Sequence, residues 1–375
     1  MAKFTDDSAR TDLLNRLKRA EGQLRGIQRM IEGGEPCLDI ASQMAAVRKA
    51  QALDDEKSAL LKGDGPPVDE QLRKSGLLAR IAYAHEGDPT AAARLQAQAA
   101  AFRHLEPAGR TPKLHGVVEP VPGLPGGALI VDFVEGHAPD LPVDLAAMAE
   151  TLARIHALPM PPPGSPIPRQ TNPFLETLQA IELNTRNFLG AAVEDPQARA
   201  EIADELWAMR EMAATLDLDD QPLGVALADT HPGNFIVDRA GIARFVDLEK
   251  VHVGSAAIDL AHVTLRTSTL WDPRVGKELA PADVVGFYEA YLARRGEAVA
   301  DALRPWLEPM RRLTWLRTTL FMARWRVQTR QPRNPHDPSQ WSDAGLDPAT
   351  RAHIDARIDD CFSRDAIRAI RSEWL

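Results

Sequence analysis

The stretch Gly224–Lys250, GVALADTHPGNFIVDRAGIARFVDLEK, constrains the fold more than any other part of the chain. Three short apolar runs are broken by turn residues. GVALA and FIVD are β-branched and apolar, DRAG is a turn signal, and IARFVDLEK is a third run. Asp229 ends the first run, Asn234 opens the second, and Asp247 lies near the end of the third. A hairpin would bring these three to one edge. Oxygen-bearing side chains gathered at strand ends suit a divalent cation and a phosphate.

Phosphoryl transfer needs a carboxylate to orient the attacking hydroxyl and hard oxygen ligands for Mg²⁺. Asp229, Asn234 and Asp247 supply that set. Any one of them alone reads as an ordinary turn or strand-end residue, so the ordered set carries the inference. The order resembles the catalytic loop and metal-binding aspartate of protein-kinase-like enzymes. It is most similar to the aminoglycoside phosphotransferase and choline-kinase-like superfamily, whose loop usually reads H-x-D-x-H-P-x-N. Here Leu227 stands in place of the leading His, ahead of Ala228, Asp229, Thr230, His231, Pro232, Gly233 and Asn234. VDLEK and then Gly254-Ser-Ala-Ala-Ile-Asp259-Leu-Ala follow in that family's order.

The resemblance implies Asp229 as catalytic base, and Asn234 and Asp247 as Mg²⁺ ligands. It implies Asp259 as a brace for the catalytic loop, supplied by the helix that follows, with His231 in a supporting place and Glu249 as a nearby acid. It also implies ATP and Mg²⁺ as cofactors and a small-molecule hydroxyl as acceptor. Leu227 can pack into the core, so loss of the leading His should weaken loop bracing more than chemistry.

Upstream, LLARIAYA (77–84) reads as a strand and TAAARLQAQAAAFRHL (90–105) as a helix. TPKLHGVVEPVPGLPGGALIVDFVEG then gives strands around Gly/Pro turns. This order resembles a kinase small lobe. ALIVDFVEG, with Phe133 and Glu135, resembles the hinge whose backbone meets adenine. The strand Lys of such lobes falls at Arg80 and the helix Glu at Gln98. Arg keeps the charge with a different shape, and Gln98 can hydrogen-bond it without an ion pair. Lys62 and Lys74 are alternative phosphate contacts. Gly63-Asp64-Gly65 is a candidate phosphate loop or simply a turn.

At the N-terminus, LLNRLKRAEGQLRGIQRMIE and EPCLDIASQMAAVRKA carry Leu13, Leu17, Leu24, Ile27 and Ile31 at helical spacing, with Gly33, Gly34 and Pro36 as a stop. Residues 10–50 resemble the copper- and formaldehyde-sensing CsoR/FrmR-like repressors. There Cys37 would be a metal ligand or reactive sensor thiol. The partner ligands would fall in DDEKSALLKGDG, which has neither His nor Cys. A lone thiol is a poor metal site, so Cys37 also reads as a partly buried structural residue. The basic face of this helix is either solvated or a contact for DNA or a partner chain. Both resemblances break off at about 50–58, which reads as a fusion junction.

The chain has 375 residues, 44% hydrophobic and 26% charged, enough for two or three domains with a sizeable core. A formal charge of −9 argues against nucleic-acid binding by the chain as a whole. Two distant cysteines suggest no disulfide framework, and no apolar run is long enough to span a membrane. With no apolar signal core in MAKFTDDSARTD, the cytoplasm is the default expectation. DLAAMAETLARIHALP, with His156 as a packing residue, reads as a helix, PMPPPGSPIPRQTNP as a Pro-rich loop, and the chain after Asp259 as mostly helical. Trp306, Trp315 and Trp325 read as core, with an aromatic cage for a cation as the alternative.

The expected fold is thus α/β: a two-lobed, kinase-like chain with an N-terminal α-helical extension. The expected domains are 1–57, 58–137 and 138–375. The expected function is an ATP-dependent phosphotransferase acting on a small-molecule hydroxyl. A metal- or aldehyde-responsive DNA-binding repressor and a nucleotide-binding pseudokinase are the rivals. The repressor resemblance also implies a route to a homo-oligomer through the N-terminal helices.

Overall fold

The computed structural model describes residues 77–82, 88–120, 124–332, 340–341, 343 and 346–374. The helices expected over 10–50, Cys37, the junction at 50–58, Lys62, the Gly63-Asp64-Gly65 turn and Lys74 lie outside the described residues. The described chain forms two compact units, 77–103 with 112–134, and 104–111 with 135–374. The boundary after Val134 falls inside the ALIVDFVEG stretch.

The first unit has three antiparallel strands and a helix. Strands β1 (Leu77–Ile81), β2 (Leu114–Val118) and β3 (Ala128–Asp132) take the order β1-β3-β2. The central strand β3 opens on the apolar run Ala-Leu-Ile-Val, all four residues buried, as a strand covered on both faces requires. Helix α1 (Ala91–Leu105) is alanine-rich, and Leu95, Ala99 and Phe102 form its buried stripe. The turn before β3 needs a glycine. Gly127 sits at φ +66°, and a Cβ there would lie 2.6 Å from Leu95 Cδ2. Arg80 is half-buried on β1 opposite Leu129. Gln98 is half-buried on α1, but no hydrogen bond joins it to Arg80 among the described residues. Gln96, on a different face of the helix, bonds Glu119 at 2.7 Å.

The second unit is mostly helical: α2 (Leu145–His156), α3 (Pro173–Asn184), α4 (Pro196–Thr215), α5 (Ala256–Thr264), α6 (Pro281–Arg295), α7 (Glu297–Arg330), α8 (Pro348–Cys361) and α9 (Arg364–Arg371). Asn172, Asp195 and Asp347 cap α3, α4 and α8 through their side chains, each with proline at the start of the helix. Helix α5, AAIDLAHVT, is apolar nearly all round. Every residue from Ala257 to Thr264 is buried, so it runs through the core. It packs on α7, whose Trp306 and Trp315 are core residues lying edge-on to Phe174 and Trp374. Trp325 is half-buried beside Trp341. No helix among the described residues is long and apolar enough to cross a membrane.

The runs within Gly224–Lys250 do not form one hairpin. Strands β5 (Phe235–Val237) and β6 (Ala243–Phe245) pair, with Phe235 opposite Phe245, but β4 (Gly224–Ala226) pairs with β7 (His252–Gly254). After Ala226 the chain turns through Ala228 at φ +63° and a 3₁₀ turn at Pro232–Asn234, which carries it away from β4. Strand β7 is three residues long, too short for a sequence period to show. The Pro-rich loop docks beside it: Val253 N donates to Pro168 O at 2.8 Å and Gln170 N to Val253 O at 2.9 Å.

Candidate active site

Strand β4 delivers the loop from Leu227 to Asn234. Leu227 is fully buried, and Ala228 holds a left-handed conformation that costs a residue with a Cβ about 1–2 kcal/mol. Asp259, fully buried in the first turn of α5, holds the loop in that shape. Its Oδ2 accepts from Leu227 N and its Oδ1 from Ala228 N, both at 2.7 Å. Thr230 Oγ1 donates to Asp259 O at 2.7 Å, and Arg317 of α7 donates to Ala228 O at 3.1 Å.

His156, at the end of α2, adds a third donor to the carboxylate. Its Nε2 lies 3.0 Å from Asp259 Oδ2, and its Nδ1 lies 2.9 Å from the Tyr291 hydroxyl. A carboxylate that accepts from two backbone amides accepts here too, so Nε2 donates to Asp259 and Nδ1 pairs with the Tyr291 hydroxyl. Burial pushes the Tyr291 phenol upward, which keeps it neutral and able to donate. His156, expected to pack, therefore also orients the brace.

Asn234 Nδ2 donates to Asp229 O at 2.8 Å, and Val246 N donates to Asn234 O at 3.0 Å. These bonds tie the loop to the β5–β6 ribbon, from whose same end Asp247 emerges, half-buried. With Nδ2 engaged, Asn234 has its Oδ1 to offer alongside the Asp247 carboxylate. That all-oxygen pair suits a hard cation that draws its other ligands from phosphate and water. Among the described residues no group of three or more His, Cys, Asp or Glu could cage a metal ion.

The Asp229 carboxylate has one nitrogen in hydrogen-bond contact and a second farther off. Lys250 Nζ lies 2.5 Å from Oδ2, and His262 Nδ1 lies 3.8 Å from Oδ1. Burial is the largest influence on the Asp229 carboxyl and works to raise it, but its cationic surroundings, Lys250 foremost, together outweigh burial and hold the group well below the usual carboxylate range. Burial pushes His262 down to about 3, so its imidazole is neutral near pH 7 and Lys250 supplies the field. The effect is mutual: burial works against the Lys250 ammonium, and Asp229 more than restores it. Asp229 thus stays ionised, able to accept a hydrogen bond from a hydroxyl. A cavity of about 150 Å³ opens beside Asp229, Lys250, His262 and Arg317, room for a small molecule or one end of a larger one.

Asp229, Asn234, Asp247, Asp259 and His231 are gathered in the second unit. His231 starts the 3₁₀ turn, its ring edge-on to His262 at 6.2 Å. Gly233 is needed there because a Cβ would lie 2.3 Å from Asp272 Oδ2. Glu135 is exposed and ion-paired to Arg239 at 2.9 Å, and Glu249 is exposed. Arg80, Gln98 and the half-buried Phe133 belong to the first unit.

Lys250, His262 and Arg317 carried no assignment from sequence. Lys250 closes VDLEK, beside Asp247, and His262 lies one turn beyond Asp259 on the same face of α5, so both had a local signal. Arg317, inside a long amphipathic helix, had none.

Residues 77–306 match the phosphotransferase enzyme family, and residues 9–62 match the metal-sensitive transcriptional repressors, past the junction placed at 50–58. The N-terminal part is 55% identical over 38 residues to the copper-sensing transcriptional repressor CsoR of Bacillus subtilis, covering 10% of this chain but only 38% of that protein. It is 40% identical over 78 residues to the copper-sensing transcriptional repressor RicR of Mycobacterium tuberculosis, covering 18% of this chain and 80% of that protein. Among solved structures, the AMP-bound complex of the spectinomycin phosphotransferase APH(9)-Ia matches with a TM-score of 0.52 and 11% identity, over 78% of this chain and 86% of that one. At that identity the likeness is one of fold, and the fold is protein-kinase-like. The first match takes in well over half the residues: the chain belongs to the phosphotransferase enzyme family, with a metal-sensitive repressor segment ahead of it.

Proposed function

We propose that this small-molecule kinase moves the γ-phosphate of ATP to a hydroxyl of its acceptor, with Asp229 orienting that hydroxyl. The observation that carries the reading is the fixed Asp229 loop. Its backbone is clamped by Asp259 at 2.7 Å and its apex tied to Asn234 at 2.8 Å, with an ionised carboxylate facing a cavity. Preorganisation of this kind is what phosphoryl transfer asks of a protein, because most of the catalysis is positioning and electrostatics.

Asn234 Oδ1 and Asp247 would hold Mg²⁺. Bound there, the ion would neutralise charge on the phosphate oxygens. Arg80 would steady the nucleotide phosphates, and the backbone at Phe133 and Glu135 would meet the adenine. Lys250 keeps Asp229 ionised and limits its swing. Replacing Asp229 by Ala should lower turnover about 10²- to 10⁴-fold while Mg-ATP still binds. Undiminished transfer by that variant would remove the assignment.

A second reading attaches to the N-terminal segment, on the strength of its match to metal-sensitive repressors over residues 9–62. Through that segment the chain would bind DNA or self-associate in response to metal. A gel shift of the full chain with copper and promoter DNA tests it, and no shift with or without metal would remove it.

A further inference from the structure

One wall beside Asp229 carries polar groups the fold does not use. His262 Nδ1, Thr267 Oγ1 and Ser268 Oγ are buried without a hydrogen-bond partner, in residues 7%, 8% and 2% exposed. All three residues line the cavity that holds the Asp229 carboxylate. Buried polar atoms are nearly always paired, so three unpaired ones along a single cavity call for a partner that arrives from outside. Trp271 lines the same cavity and offers it an apolar face.

The charges narrow the partner further. Among the described residues Asp229 is the only acid lining the cavity, and Lys250 already occupies it. Arg317 is a second cation there, and His262 is neutral. A cationic acceptor would meet two like charges and, among the described residues, no spare carboxylate. His262, Thr267 and Ser268 offer uncharged hydrogen-bonding groups beside the apolar Trp271, Phe321 and Met322, and that combination orients an uncharged ligand.

Building on the phosphotransfer reading above, we propose that the acceptor is an uncharged polyhydroxyl compound, a sugar or polyol. Its hydroxyls bond His262, Thr267 and Ser268, and its C–H face rests on Trp271. One further hydroxyl hydrogen-bonds Asp229. A bond forms from that oxygen to the γ-phosphorus as the bond from the γ-phosphorus to the bridging oxygen breaks. ADP leaves with the bond's electrons, and the hydroxyl proton passes by way of Asp229 to solvent.

The test uses the full chain with Mg-ATP and three matched acceptor sets: neutral sugars and polyols, their amino-sugar counterparts, and their uronic-acid counterparts. The neutral set should show the highest kcat/KM. Thr267→Val and Ser268→Ala should each raise the acceptor KM about tenfold and leave the KM for ATP unchanged. Neither should lower the melting temperature, because each removes an unpaired buried group, whereas a hydroxyl that served only the fold would lower it. Higher kcat/KM for the amino- or acid-bearing sets, or an unchanged acceptor KM in both variants, overturns the acceptor class and leaves phosphotransfer standing. Binding of Mg-ATP with transfer to no acceptor overturns the phosphotransfer reading, and this one with it.

Discussion

Asp259 gives its carboxylate to three buried donors, two backbone amides and the His156 ring, whereas Asp229 meets one ammonium and a cavity. The same side chain is thereby a brace in one place and a cavity-facing carboxylate in the other. An Asn at 259 would turn an amide toward donors that need an acceptor. Asp259→Asn should therefore lose about 3 kcal/mol of stability in urea unfolding. A loss near zero would mean the loop does not depend on this residue.

His262 makes a pH prediction of opposite character. Its folded value, about 3, lies below the ordinary 6.5, so the unfolded chain binds the extra proton between those values. The stability that goes with its neutral form is complete above the unfolded value and is lost as pH falls. The loss is about 1.4 kcal/mol per pH unit from this residue. Comparing His262→Gln with the parent chain between about pH 4 and pH 6 should show a shallower slope in the variant. Equal slopes would place His262 in a wetter or more polar setting than its burial implies. Asp229, Asn234, Asp247 and Asp259 were legible as positions because a loop, a turn and a following helix place them within a short span of sequence. The Lys250 contact and the Arg317 bond to Ala228 depend on how the loop folds back and where α7 passes, which no local spacing encodes.

At the level of elements, the β5–β6 ribbon could be read from DRAG between two apolar runs. The β4–β7 pair could not, because three-residue strands carry no period and the partner lies beyond a left-handed turn. The ribbon is also fixed to the segment after Val134. His137 and Val237 exchange backbone bonds at 3.0 and 2.9 Å, and a Cβ on Gly136 would lie 2.2 Å from Val237 O. Gly136→Ala should cost about 1–3 kcal/mol by forcing these backbones apart. Gly224→Ala, where a Cβ meets nothing within 4 Å, is the control and should stay within about 0.5 kcal/mol. Equal effects at both sites would mean that close packing at Gly136 is not what holds this segment to the ribbon.

Across the whole molecule, the phosphotransferase match and the repressor match occupy different parts of one chain, and the described residues begin where the first begins, at 77, and run past its end at 306. Cys361 illustrates the difference between a core thiol and a sensor. Burial pushes it up to about 11, and Thr319 Oγ1 lies 3.6 Å from its sulfur. A Cys37→Ser chain should therefore take up no thiol reagent until it is unfolded. Rapid labelling of the native variant would show that α8 opens readily.

The most direct test follows the labelled γ-phosphate of ATP in the presence of Mg²⁺ and a panel of small hydroxyl compounds, for the parent chain and Asp229→Asn side by side. The expected result is label on an acceptor hydroxyl with the parent, and about 10²- to 10⁴-fold less with the variant at unchanged nucleotide binding. Equal transfer by both, or nucleotide bound by the parent with no label passed to any acceptor, would contradict phosphoryl transfer through Asp229.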